Sequence, residues 1–261
     1  MSPTTWTPSA VRPEALEARP WRVVEAQHVV ATRKLVDSAA EQAVLEDLIE
    51  RAKPPVPPEP ELAGLHYLLA TPFRHPPLPR GSRFGTRAER GLWYGADRVP
   101  TALAEATYYR LVFLEGTAAE IEPILVDLSV FRAAVRTARG IDLTSPRSTE
   151  GWAEHESEIS SPTSYTTSQE LGRALRAAGV EAFRYRSARD PERGTNLALF
   201  TPRAFAAKRP DSSETWYCVA TRSVVELSSR RLLDRGARGR ETHRFPRELF
   251  EVDGKLPAPA V

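Results

Sequence analysis

Arg83, Tyr94 and Glu105 stand eleven positions apart, and Ser187 follows in the segment Tyr185-Arg186-Ser187-Ala188-Arg189. Each type has a chemical capacity. A carboxylate stabilises developing positive charge or orients a hydroxyl. A planar guanidinium grips phosphate or carboxylate through paired donors. A tyrosine stacks on a ring or donates its hydroxyl. Each also has a plainer use. Glu105 sits in the small, apolar run Ala102-Leu103-Ala104-Glu105-Ala106-Thr107, where its side chain faces either solvent or a cavity. Ser187, close to Asp190-Pro191, suits a turn as well as a ligand. Asn196, the chain's one asparagine, suits a turn-side hydrogen bond or a ligand equally. Solvent exposure is the ordinary expectation for Gln169, and core packing for Trp93.

The elements that must position these side chains are legible along the chain. Residues 1–20 are Pro- and Thr-rich and read as a loose arm. Apolar residues at helical spacing, capped by Asp37 or Ser38, predict a helix over 38–51. Five prolines between Pro54 and Pro60 make a stiff connector. We place a boundary there: an N-terminal arm and helical extension over 1–60, a main domain over 61–228, and an Arg- and Pro-rich C-terminal arm over 229–261. The main domain is expected to open with a buried strand over 65–71 and a second strand over 91–95, which carries Tyr94. A helix over 100–113 bears Glu105, with Asp97 as its cap and Pro100 in its first turn. A strand over 121–130, a short helix over 131–138 and a polar surface loop over 142–164 follow. A helix over 164–178, stopped by Gly179, bears Gln169. Two strands over 182–185 and 196–200 flank the loop of Ser187, and 215–227 supplies one or two more. Strands and helices mix without strict alternation, which points to an α+β fold. There is no internal repeat and no GxGxxG or GxxxxGK[ST] phosphate loop.

Composition narrows the classes. The 261 residues carry 36 basic and 34 acidic side chains, a net charge of +2. That balance argues against a histone-like nucleic-acid binder, although the pI of about 8.8 leaves room for a local basic patch. The length fits one large domain with appended arms. No apolar run approaches the roughly 20 residues that cross a bilayer, and no secretory signal is legible at the N-terminus. Cys218 is the sole cysteine, which excludes an intramolecular disulfide and reads as a small buried hydrophobe. The five histidines show no i, i+3 or i+4 pairing, so no metal site is expected. Only four basic residues are lysines. The arginine runs at 230–231 and 235–244 read as a solvated face, with an acidic partner as the sharper alternative.

Arg83, Tyr94, Glu105 and Ser187, in this order and spacing, resemble the RES family, named for Arg, Glu and Ser. The resemblance runs roughly from Leu65 to Phe205. It includes Ser82-Arg83-Phe84-Gly85, the strand 92–96, the helix 102–108, Tyr165 to Gly172, and Asn196-Leu197-Ala198-Leu199-Phe200. This chain departs from compact members in its extended first half and its long 142–164 segment. Members are toxins of bacterial toxin–antitoxin pairs, with a fold similar to ADP-ribosyltransferase toxins: a mixed sheet core with flanking helices. The resemblance implies attack on NAD⁺ at the ribosyl carbon that bears nicotinamide, where oxocarbenium character develops. It assigns Glu105 to stabilise that charge. Arg83 and Arg74, the best match to the family's first-strand arginine, clamp the pyrophosphate. Tyr94 stacks on nicotinamide or donates to it, and Ser187 bonds the ribose or a phosphate. Asn196 and Gln169 line the pocket. NAD⁺ is then a substrate, inorganic phosphate a co-substrate if the reaction is phosphorolysis, and no metal or prosthetic group is required. The implied partner is a small helix-turn-helix antitoxin of the Xre type, in the cytoplasm. No membrane or direct nucleic-acid partner is expected, and homo-oligomerisation stays open. Transfer of ADP-ribose onto a protein shares the same bond cleavage and stands as an alternative. A non-enzymatic binding module is a further one, which the balanced charge disfavours for nucleic acid.

Overall fold

A computed structural model of the chain describes residues 6–26, 36–119, 123–145, 152–229 and 241–258. Its strands are β1 (Glu14–Ala18), β2 (Trp21–Glu25), β3 (Trp93–Ala96), β4 (Ile124–Arg132), β5 (Val135–Asp142), β6 (Ala182–Arg186), β7 (Thr195–Leu199), β8 (Ser212–Ala220), β9 (Val224–Ser229) and β10 (Thr242–Pro246). Its helices are α1 (Ala39–Ala52), α2 (Tyr67–Arg74), α3 (Val99–Glu115), the single turn α4 (Glu156–Ile159) and α5 (Thr166–Ala177). The strands form one sheet in the order β1-β5-β6-β7-β3-β2-β4-β8-β9-β10. All pairs are antiparallel except β5–β6, whose parallel register requires the crossover that α5 supplies. The fold is α+β, a mixed sheet with flanking helices, as the strand and helix signals predict.

Alternation along each strand assigns its faces. In β8, Trp216, Cys218 and Ala220 are buried. They pack with Leu128, Val130 and Leu227 against Leu103, Tyr108, Leu111 and Leu114 of α3. Fully burying a large side chain of this kind contributes ~1.5–3 kcal/mol. Next to this layer, Phe84, Leu171, Leu175 and Phe183 pack α5 against β6. The opposite face of β3 and β7 presents Trp93, Leu197 and Leu199 to Leu69 and Phe73 of α2.

Strand β2 holds the two halves of the sheet together. It pairs with β4 along its whole length, from Trp21↔Arg132 to Glu25↔Leu128. It meets β3 at Trp21↔Ala96. No further residue pair joins these two strands among the described residues.

Several expectations are corrected. Residues 14–18, expected in the loose arm of 1–20, supply β1, and residues 21–25, expected in the helical extension, supply the central strand β2. The helical part of the extension is present as α1, capped by Ser38 through Glu41 N–H, but no residue of it is buried. The 65–71 strand is instead the helix α2, because Leu68, Leu69 and Phe73 share one buried stripe. The 131–138 helix is instead the end of β4 and the start of β5, whose partners β1 and β6 lie far away in sequence. The 142–164 loop is not merely surface: Trp152, Ile159 and Ser160 are buried. The C-terminal arm contributes β10, paired with β9 from Thr242↔Ser228 to Pro246↔Val224. The arginines at 230–240 lie outside the described residues, and Arg244 is exposed in β10 beside Glu226. Asp97 precedes α3, whose cap position is Arg98.

Candidate active site

Helix α3 brings Ala102, Glu105, Ala106 and Tyr109 to one stripe at i, i+3, i+4 and i+7, and all four line a cleft of about 450 Å³. The alanines keep the wall low around the one carboxylate. The opposite wall is the inner face of the sheet. Ala96 of β3 faces Asn196 of β7, which faces Tyr185 of β6, so these three and Tyr94 point the same way. Trp21, Arg22 and Val23 of β2 close one side.

Glu105 is held from two directions. Its Oε1 accepts from Ser187 Oγ at 2.6 Å and from Asn196 Nδ2 at 2.6 Å. Two donors on one oxygen fix where the carboxylate points. Ser187 is fully buried. Its Oγ also accepts from the backbone N–H of Arg189 at 3.1 Å and of Asp190 at 2.9 Å. The turn reading of Ser187 is realised, and the hydroxyl also holds the acid; Ser187 does not itself line the cleft.

The turn at 82–85 holds the first cation. Ser82 N–H and Gly85 N–H each donate to the other's carbonyl. Gln169 Nε2 lies 3.0 Å from Ser82 O, and Ser168 Oγ donates to Arg83 O at 2.6 Å. The Tyr94 hydroxyl accepts from Phe84 N–H at 3.2 Å and shares a hydrogen bond with Ser82 Oγ at 2.9 Å. Gly172 of α5 lets the helix approach: a Cβ there would stand 2.2 Å from Phe84 O. Arg83 Nη1 donates to Ser161 O at 2.8 Å, and its guanidinium lies 4.9 Å from the Tyr165 ring centre. The 152–165 segment thus anchors Arg83 from behind. Burial pushes the Tyr94 phenol up to about 12 and the Tyr185 phenol well above its ordinary value. At neutral pH both are donors, not bases.

The structure brings Arg83, Tyr94, Glu105 and Asn196 to one cleft, with Ser187 directly behind Glu105. Gln169 is buried under the 82–85 turn and holds it rather than facing the cleft. Arg74 is elsewhere. It ends α2, bonds Pro54 O and Glu50, and lines a separate groove beside the proline connector. It sits there because 65–74 is helical, which turns its C-terminal end toward α1. The sequence reading missed Tyr109, Tyr165, Tyr185 and Arg189, all in the cleft wall. Helical spacing from Glu105 points to Tyr109, and strand pairing with Asn196 to Tyr185; no sequence signal marks Arg189. Cys218 is buried, and burial pushes its thiol up to about 11.

A family model for the RES domain matches residues 58–220. The chain belongs to the RES domain family. The match starts after β2, so this RES protein builds one wall of its cleft from chain outside the family domain. No curated protein sequence matches it. Among solved structures it is similar to a chain from the M. tuberculosis MbcT–MbcA toxin–antitoxin complex, with 13% identity and a TM-score of 0.43, covering 77% of this chain and 85% of that one. Among the described residues no helix is long and apolar enough to cross a membrane, and no group of three or more His, Cys, Asp or Glu side chains could hold a metal ion.

Proposed function

We propose that this RES protein is an NAD⁺-cleaving toxin, kept in check by a helix-turn-helix antitoxin that covers the cleft. Family membership supports the toxin reading. The observation that carries the chemistry is the doubly held carboxylate of Glu105 in a cleft with Arg83 and Tyr94. In this reading nicotinamide leaves from the ribosyl carbon with the bonding electron pair. Glu105 stabilises the cationic carbon, and a phosphate or water oxygen bonds to it. Arg83 pairs with the pyrophosphate, and Tyr94 donates to or stacks on the substrate.

Purified protein incubated with NAD⁺, with and without inorganic phosphate, is expected to release nicotinamide, and chromatography of the second product separates phosphorolysis from hydrolysis. Glu105→Gln is expected to lower turnover by at least ~10²-fold with an unchanged circular dichroism spectrum. Intact NAD⁺ in both mixtures, with the protein folded, refutes the reading. Labelled NAD⁺ that marks a protein band instead would move the assignment to ADP-ribosyl transfer.

A further inference from the structure

Four arginines line the cleft, Arg22, Arg83, Arg90 and Arg189, against the two carboxylates Glu89 and Glu105. Three of the four are committed to protein partners. Arg22 donates to Tyr94 O, Arg83 to Ser161 O, and Arg90 to Glu59 and Phe73 O. Arg189 differs. The residue is 3% exposed, and both terminal nitrogens are buried with no hydrogen-bond partner.

A guanidinium shielded from water and left unpaired carries a large desolvation penalty, and buried polar groups are nearly always satisfied. The surroundings fix Arg189 rather than relieve it. Its guanidinium carbon lies 3.5 Å from the centre of the fully buried Tyr108 ring, so the fork is held flat. Its backbone N–H donates to Ser187 Oγ, the same hydroxyl that donates to Glu105. The acid and the unpaired cation are therefore set by one side chain. A stacked fork whose terminal donors have no protein partner is the arrangement that recognises a tetrahedral oxyanion through two parallel bonds.

We infer that Arg189 is the oxyanion-binding residue of the cleft, taking a phosphate group beside Glu105. The inference rests on the proposed NAD⁺ reading only for the source of that phosphate, which is either the dinucleotide's pyrophosphate or free inorganic phosphate. Arg83, held by Ser161 O through one nitrogen, keeps the pyrophosphate role proposed above and does not replace Arg189.

The test is calorimetric titration of the full-length protein with inorganic phosphate and, separately, with inorganic pyrophosphate, in the absence of NAD⁺. The wild-type protein is expected to bind at least one ion. Arg189→Gln should weaken that affinity by about tenfold or more, and Arg189→Lys, which keeps the charge without the fork, by about threefold. Circular dichroism establishes that each variant is folded; if the Gln variant is not, the Lys variant decides. No binding of either ion to the wild type overturns the inference, as does wild-type affinity in the folded variants. These titrations read Arg189 even if the chain breaks no NAD⁺, so the two proposals fail separately. With NAD⁺ present, a rate that saturates with phosphate in the wild type but not in Arg189→Gln identifies free phosphate as the ligand. A raised KM for NAD⁺ at every phosphate concentration identifies the pyrophosphate.

Discussion

The Ser187 hydroxyl takes part in three hydrogen bonds: it donates to a carboxylate and accepts from two backbone amides. Ser187→Ala leaves two buried N–H groups unpaired and loosens the acid. It should cost about 2 kcal/mol or more of stability and, through the misplaced carboxylate, reduce NAD⁺ turnover at least ~10-fold. A thermal melt and a nicotinamide-release assay read the two effects, and an unchanged melt would show that the hydroxyl is dispensable to the turn. Tyr94 titrates in the opposite sense from a paired acid. Its phenol is pushed by burial from 10.0 up to about 12 in the folded chain. Above pH ~10 the unfolded chain gives up this proton while the folded chain keeps it. The stability Tyr94 contributes is therefore present below that pH and lost as pH rises toward 12. Denaturant melts at pH 9 and 11 should show the fall, and Tyr94→Phe should lessen it; an equal fall in the variant would assign the effect to the other buried phenols.

At the scale of elements, the close approach of α5 to the 82–85 turn is the contact most sensitive to one atom. A Cβ at Gly172 meets the Phe84 carbonyl, which is backbone and cannot swing aside. Gly172→Ala should destabilise by ~1–3 kcal/mol and lower turnover as well, because Arg83 rides on that turn. A melt combined with an activity assay tests this, and wild-type values for both would mean the turn moves without consequence. The parts of the site on β3, α3, β6 and β7 were readable from sequence because local signals agree with tertiary structure there: alternating strands, Pro100 early in α3, a positive φ at Gly179. Where partners are distant the signals failed. Residues 65–71 are a short apolar run, which periodicity alone cannot divide between strand and helix. Ala133 and Ala134 favour helix locally, yet they turn the chain from β4 into β5, whose pairing with β1 and β6 makes 135–142 strand. The 152–160 segment is polar in sequence yet buries Trp152, Ile159 and Ser160, because it packs behind Arg83. Arg74 was misplaced through the same error that made α2 a strand.

The whole molecule depends on a strand outside the family domain. Without β2, the sheet separates between β3 and β4, and the cleft loses Trp21, Arg22 and Val23. A fragment confined to 58–220, which lacks β2 together with β1, β9 and β10, is expected to lack a cooperative melt and to leave NAD⁺ intact, whereas a cooperative, active fragment would show that the family domain closes its sheet without them. The cleft is also assembled across long stretches of chain. Glu105 receives its two donors from residues 82 and 91 positions later, and such distant pairings form slowly. During translation, the ribosome therefore releases the acid well before the groups that aim it. A nascent chain stalled before Ser187 holds an unaligned glutamate and none of the finished site geometry, so on the proposed function a truncated product of this reading frame should leave the NAD⁺ of the cell that makes it intact.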